Sequence, residues 1–176
     1  MENKLKSIFD IEFGTSKEAV KEIAEKKNGK IDQEHSSEEL LIFDGINYAG
    51  YDTDFICFQF VNDKLARTTV NISERSDIDM LFRIYEDLKN KLNAKYFKTD
   101  KVYEFYEQPY DKDDLKALKA QGIESGLVEF SNFWMFGNDS ICLEISKDLI
   151  VKVNFENDDL ISEGTKKKFN SGLDNM

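Results

Sequence analysis

Proline and histidine each occur once in the 176 residues, and cysteine twice. The single histidine, His35, removes most zinc sites and any serine–histidine or cysteine–histidine relay that does not use it. Two cysteines do not make a disulfide framework. Nine glycines are too few for a collagenous or low-complexity chain. No apolar run approaches the roughly 20 residues that a membrane-spanning helix needs. A glycine-rich phosphate loop and a Gly-x-Ser-x-Gly elbow are both missing. Positive charge is also short: 24 Lys and Arg face 35 Asp and Glu, a formal net charge of −11. That is not the basic footprint of a nucleic-acid binder. The segment Met1 to Asp10 has two lysines but no apolar stretch of a secretory signal, so the expected location is cytoplasmic.

What is present suffices for a core. Hydrophobic residues make up 40% and aromatics 12%, including 14 Phe and 7 Tyr, which suits one compact domain. Period-two alternation at Phe9, Ile11 and Phe13 reads as a half-buried strand ended by Gly14. Thr15 and Glu18 form a capping-box pattern before a helix carrying Val20, Ile23 and Ala24, and Asn28-Gly29 stops it. Strands follow at Leu40–Phe43, at Phe55–Val61 and at Leu65–Ile72, the last two joined by an Asn62-Asp63 turn. Ser76 opens a long helix with Ile78, Leu81, Tyr85, Leu88 and Leu92 on one face. Val102–Tyr106 reads as a strand broken by Pro109. A short helix capped by Asp111 should turn Leu115 and Leu118 inward and stop at Gly122. Strands at Leu127–Phe136, Ile141–Ile145 and Ile150–Phe155 complete the list, and the polar residues 157–176 read as a mobile tail. The expected fold is α+β with antiparallel sheets.

The order strand, helix, three strands occurs twice, in residues 1–75 and 99–156, with a bridging helix at 76–98. At an offset of 85, five of 25 positions from Asn47 to Asn71 are identical, among them Cys57/Cys142 and Asp63/Asp148. A tandem β-α-β-β-β duplication is therefore expected. The opening Gly14-Thr15-Ser16-Lys17-Glu18-Ala19-Val20, followed by a three-stranded meander, resembles modules of the beta-lactamase-inhibitor-protein and BamE-like type. The resemblance implies protein–protein interaction rather than chemistry.

Between Lys30 and Lys64 the chain has no Lys or Arg but eight acids: Asp32, Glu34, Glu38, Glu39, Asp44, Asp52, Asp54 and Asp63. A solvated face kept for solubility is one reading, and a docking surface for a basic protein is the other. Asp52-Thr53-Asp54 has alternate acids but lacks the glycine and distal glutamate of a calcium loop. Dense aromatics around Tyr103, Phe105, Phe133 and Trp134 must face both sides of a sheet, so some should be binding anchors. The candidate partner-binding residues are Glu38, Glu39, Asp44, Asp52, Asp54 and Trp134. No catalytic residue, metal or cofactor is expected. Cys57 and Cys142 read as reduced core or sheet thiols, a disulfide in an oxidising compartment being the alternative. His35 reads as a loop residue with a pKa raised by neighbouring acids. The function these features support is a non-catalytic acidic binding module, of inhibitor or immunity type. The alternative is a small-molecule or lipid binder with an apolar pocket under the sheet.

Overall fold

The structure, a computed structural model, describes residues 4–74 and 76–174. Its elements in chain order are α1 (Lys17–Lys26), β1 (Lys30–Ile31), β2 (Leu40–Asp44), β3 (Asn47–Tyr48), β4 (Tyr51–Asp52), β5 (Phe55–Val61), β6 (Lys64–Ser73), α2 (Ile78–Lys95), β7 (Lys101–Tyr106), α3 (Lys116–Ser125), β8 (Val128–Phe136), β9 (Asp139–Ile145), β10 (Ile150–Asn157) and α4 (Asp158–Asp174). Eight strands form one antiparallel sheet in the order β1-β2-β5-β6-β10-β9-β8-β7, and β3 and β4 form a small hairpin of their own. The fold is α+β with antiparallel sheets, as the alternating patterns predict.

Alternation along the central strands assigns each side chain to one face. Ile56, Phe58, Val70, Ile72, Val151, Val153, Phe155, Ile141, Leu143, Phe130 and Trp134 are buried on one side. Three helices cover that side: α1 lies against β2 and β6, α2 across β9 and β10, and α3 against β8. Leu81, Tyr85, Leu88 and Leu92 of α2 are buried as the helical spacing predicts, with Phe82 and Ile84 beside them; Ile78 is half-buried. Edge-to-face ring contacts from Phe82 and Tyr85 to Phe130, at 5.4 and 5.9 Å, lock α2 onto β8. The Asn62-Asp63 turn has φ of 49° and 59°, the two left-handed residues that a tight hairpin with right-twisted strands requires.

Several local expectations are corrected. Ile8–Asp10 is a 3-10 turn, not the start of a strand, because Phe9 and Asp10 take φ of 57° and 58°. Ile11 and Phe13 are nevertheless buried, so the alternation marked burial without a ladder. Ser16 rather than Thr15 caps α1, accepting the Ala19 N–H at 3.4 Å, and Asp77 rather than Ser76 caps α2, accepting the Met80 N–H at 3.0 Å. The helix after Pro109 starts later than expected: Leu115 precedes it and is 77% exposed, Leu118 is also exposed, and Ala120, Gly122 and Ile123 face inward. Gly122 is not the stop. It lies where a Cβ would come within 2.3 Å of Val128, so its lack of a side chain lets α3 approach β8. Gly126, at φ 76°, ends the helix. The tail read as mobile forms α4 from 158 to 174, and the last two residues lie outside the described ones. Leu160 packs against the core, Gly164 abuts Val61, and Asn62 donates to Glu163 at 2.5 Å, so the hairpin end of β5–β6 supplies a docking surface that a polar sequence does not advertise.

Candidate functional site

The other face of the eight-stranded sheet carries none of α1, α2 or α3. Strand pairing arranges its side chains in rows. One row runs Lys101, Phe133, Cys142, Asn154, Thr69, Cys57 and Ile42 across seven strands. A second runs Tyr103, Ser131, Glu144, Lys152, Asn71 and Phe55, and a third runs Met135, Ser140, Glu156, Arg67, Gln59 and Leu40. An alternating polar and apolar sequence forces this outcome once the opposite face is committed to the core.

The centre of this face is polar and internally bonded. The Thr69 hydroxyl donates to Asn154 Oδ1 at 2.7 Å, Arg67 Nε lies 2.9 Å from Glu156 Oε1, and the Ser131 hydroxyl donates to Glu129 Oε1 at 2.8 Å. Arg67, Phe133, Cys142, Glu144, Lys152 and Glu156 line an open trough of about 480 Å³. Burial holds the Glu144 carboxyl above the ordinary range, Lys152 opposes it, and Glu129 and Glu156 push it further up. Burial also pushes the Cys142 thiol up to about 12 and the Cys57 thiol up to about 11. Neither is therefore a thiolate nucleophile near neutral pH. Both cysteines are free and half-buried on this open face, sheet thiols rather than core ones.

At the β7 end the face turns aromatic. Tyr103 contacts Phe105 and Phe133 with ring centroids 5.9 and 5.5 Å apart, and Tyr103, Phe105 and Met135 are exposed. Trp134 is not part of this flange. It is fully buried on the helix-covered side, where Nε1 donates to Asn93 Oδ1 at 3.1 Å and to the Phe97 carbonyl at 3.0 Å. The expectation that Trp134 anchors a partner is overturned: one residue of strand parity separates it from Phe133 and Met135, which do face outward.

Glu38, Glu39, Asp44, Asp52 and Asp54 are all exposed, but they do not form one patch. Glu38 and Glu39 precede β2, whereas Asp44 ends it and lies opposite Lys30. Five strand residues at about 3.3 Å each separate Glu39 from Asp44 by roughly 17 Å, about two Debye lengths at physiological salt. Lysines from distant sequence reach both ends. Lys168 of α4 approaches Glu39 at 3.8 Å, and Lys17 donates to the Ser37 carbonyl at 2.9 Å. Lys91 of α2 donates to the Ala49 carbonyl at 2.8 Å and pairs with Asp87 at 2.6 Å. His35 sits in a turn built by Asp32, whose carboxylate accepts the N–H groups of Glu34 and His35 and lies 2.8 Å from His35 Nδ1. Its hydrogen bond to Asp32 raises the imidazole pKa.

Among the described residues there is no group of three or more His, Cys, Asp and Glu placed to hold a metal ion, and no helix is long and apolar enough to cross a membrane. Sequence reasoning missed the open-face polar set of Arg67, Glu144, Lys152, Asn154 and Glu156. Its signal was the polar alternation in β9 and β10, legible only once the buried parity is known. Comparison with protein-family models, curated proteins and solved structures finds no match for this chain.

Proposed function

We propose that this chain is a non-catalytic protein-binding module that takes a partner with basic side chains on its open sheet face. One observation carries the reading: α1, α2 and α3 all pack on one side of the eight-stranded sheet, while on the other side α4 lies at the β5–β6 hairpin end, beside Gln59, Val61 and Arg67. The other side presents polar rows and an aromatic flange in which Tyr103 and Phe105 are exposed and Phe133 is half-buried. Surfaces that combine aromatic anchors with a polar field are suited to protein partners. The acids Asp44, Asp52 and Asp54 at one end of the sheet and the net charge of −11 would steer a basic partner toward it. The apolar side of the sheet is filled by helix side chains and the open side is polar, which favours a protein over a lipid or another apolar ligand.

The tandem duplication belongs to the same proposal. Cys57 and Cys142 lie on β5 and β9, the middle strands of two three-stranded halves, β2-β5-β6 and β8-β9-β10. Thr69 and Asn154, 154 − 69 = 85 apart, pair directly across the β6–β10 junction, as a twofold relation between halves would require. An experimental structure in which the two halves superpose without Cys57 meeting Cys142 would remove this part of the reading.

The functional test uses a partner captured on the immobilised chain from a lysate of the source cells. Phe133→Glu should abolish retention of that partner, while the Glu38→Lys/Glu39→Lys pair should leave it intact. Retention by the Phe133 variant at the wild-type level would exclude the open face as the site.

A further inference from the structure

We infer that the free edge of β7 pairs antiparallel with the β7 of a second copy of this chain, with Tyr103 on the twofold axis. The inference concerns the sheet edge and does not rest on the partner-binding reading above.

The two ends of the sheet are finished differently. One ends in β1, two residues long, the short kind of edge that natural sheets use to discourage pairing. The other ends in β7, a six-residue strand without proline or bulge, in which Val102, Tyr103 and Phe105 are exposed. The Glu107 N–H bonds inward to the Leu127 carbonyl at 2.8 Å. In an antiparallel ladder inward and outward bonding alternates by residue. Val102, Glu104 and Tyr106 therefore aim their N–H and C=O groups away from β8, toward an edge that pairs with no other strand among the described residues.

Charge selects a second copy and its register. An antiparallel edge-to-edge pair has its axis perpendicular to the sheet, so opposed residues share a face and the axis must pass through a residue. With Tyr103 on the axis, Lys101 opposes Phe105 of the other copy and Val102 opposes Glu104, a cation over a ring and no like-charged pair. Sliding two residues one way sets Glu104 against Glu104, and sliding the other way sets Asp100 against Glu104. Of these three registers the central one alone is without repulsion across the strand pair, and a slide of four, with Phe105 on the axis, sets Lys101, Val102 and Tyr103 against residues beyond the end of the strand. The central register also brings the outward groups of Val102 and Glu104 into bonding positions. Two open faces then join on the same side of one continuous sheet, with their aromatic flanges meeting at the centre.

The test is sedimentation equilibrium of the full chain from low to high micromolar concentration, with Glu104→Pro as the variant. The Glu104 N–H points away from β8, so proline there spares the monomer's ladder and removes a dimer bond. The wild type should approach twice the 20.4 kDa chain mass, and the proline variant should remain at one chain mass with an unchanged circular-dichroism spectrum. Should the proline variant misfold, Tyr103→Cys answers the same question. On the axis its thiol meets its own mate and should form an intermolecular disulfide under mild oxidation, whereas Phe105→Cys should not. A wild type that stays at one chain mass throughout, as a strand awaiting an unrelated peptide would, overturns the inference. So does a dimer that Tyr103→Cys fails to crosslink.

Discussion

Trp134 shows how far one side chain's role depends on parity. Its indole fills the helix-covered core, and its N–H is shared by the Asn93 side chain and the Phe97 carbonyl at the end of α2. Trp134→Ala should cost about 3–5 kcal/mol of stability, as large aromatic truncations in cores do, read from urea unfolding. A near-neutral result would mean that the ring faces solvent after all. Glu144 makes a prediction in pH. Its carboxyl binds a proton more tightly in the folded state than the ordinary value of 4.5 implies. The sign follows from linkage: below that value the group is protonated in both states and costs nothing, and as pH rises through the folded value ionisation disfavours the native state. The melting temperature should therefore fall over that window more steeply in the wild type than in Glu144→Gln, and the variant should melt higher at neutral pH. Identical slopes would show Glu144 to be fully solvated.

Among the elements, α2 is the keystone, since its buried stripe spans the β9–β10 centre and holds β8 through Phe130. Leu88→Ala should destabilise by about 2–5 kcal/mol. In α3 the decisive position is a glycine. Gly122→Ala places a methyl against Val128 and should cost about 1–3 kcal/mol, the range for overpacking. Leu115→Ala and Leu118→Ala, despite removing larger apolar groups, should each stay within about 0.5 kcal/mol because both side chains are exposed. Chemical denaturation of the three variants side by side checks the placement of the helix. A large loss at Leu115 together with none at Gly122 would restore the earlier helix start that the sequence suggests.

For the whole molecule, the question is how a −11 charge is distributed. The acidic stretch splits into two ends roughly 17 Å apart by strand rise, and Lys168, Lys17 and Lys91 approach it from other elements. Reversing Asp52 and Asp54 to Lys should slow association with a basic partner, and the effect should shrink at high salt as the Debye length falls from about 10 Å at 0.1 M to about 3 Å at 1 M. Reversing Glu38 and Glu39 should alter the rate much less, because Lys168 already offsets that end. Stopped-flow rates at two salt concentrations decide the matter, and equal slowing by both pairs would mean a single continuous field.

The sequence by itself determined the α+β class, the buried stripe of α2, the strands on either side of the Asn62-Asp63 turn and the exposure of Glu38, Glu39, Asp44, Asp52 and Asp54. These depend on local period, turn chemistry and solvation, which neighbouring residues set. Only the tertiary structure decided which strand parity faces the helices, and so that Phe133 is outward and Trp134 inward. Burial of a strand face is settled by what packs on it, and both faces of β8 are rich enough in aromatics to serve. It also decided that Gly122 is a contact rather than a stop, that the polar tail is a helix resting on Val61, and that lysines up to 129 residues away from their acids in sequence (168 − 39) share their field. Each of these depends on which surface arrives from elsewhere in the chain, and periodicity within one segment carries no record of its future neighbour.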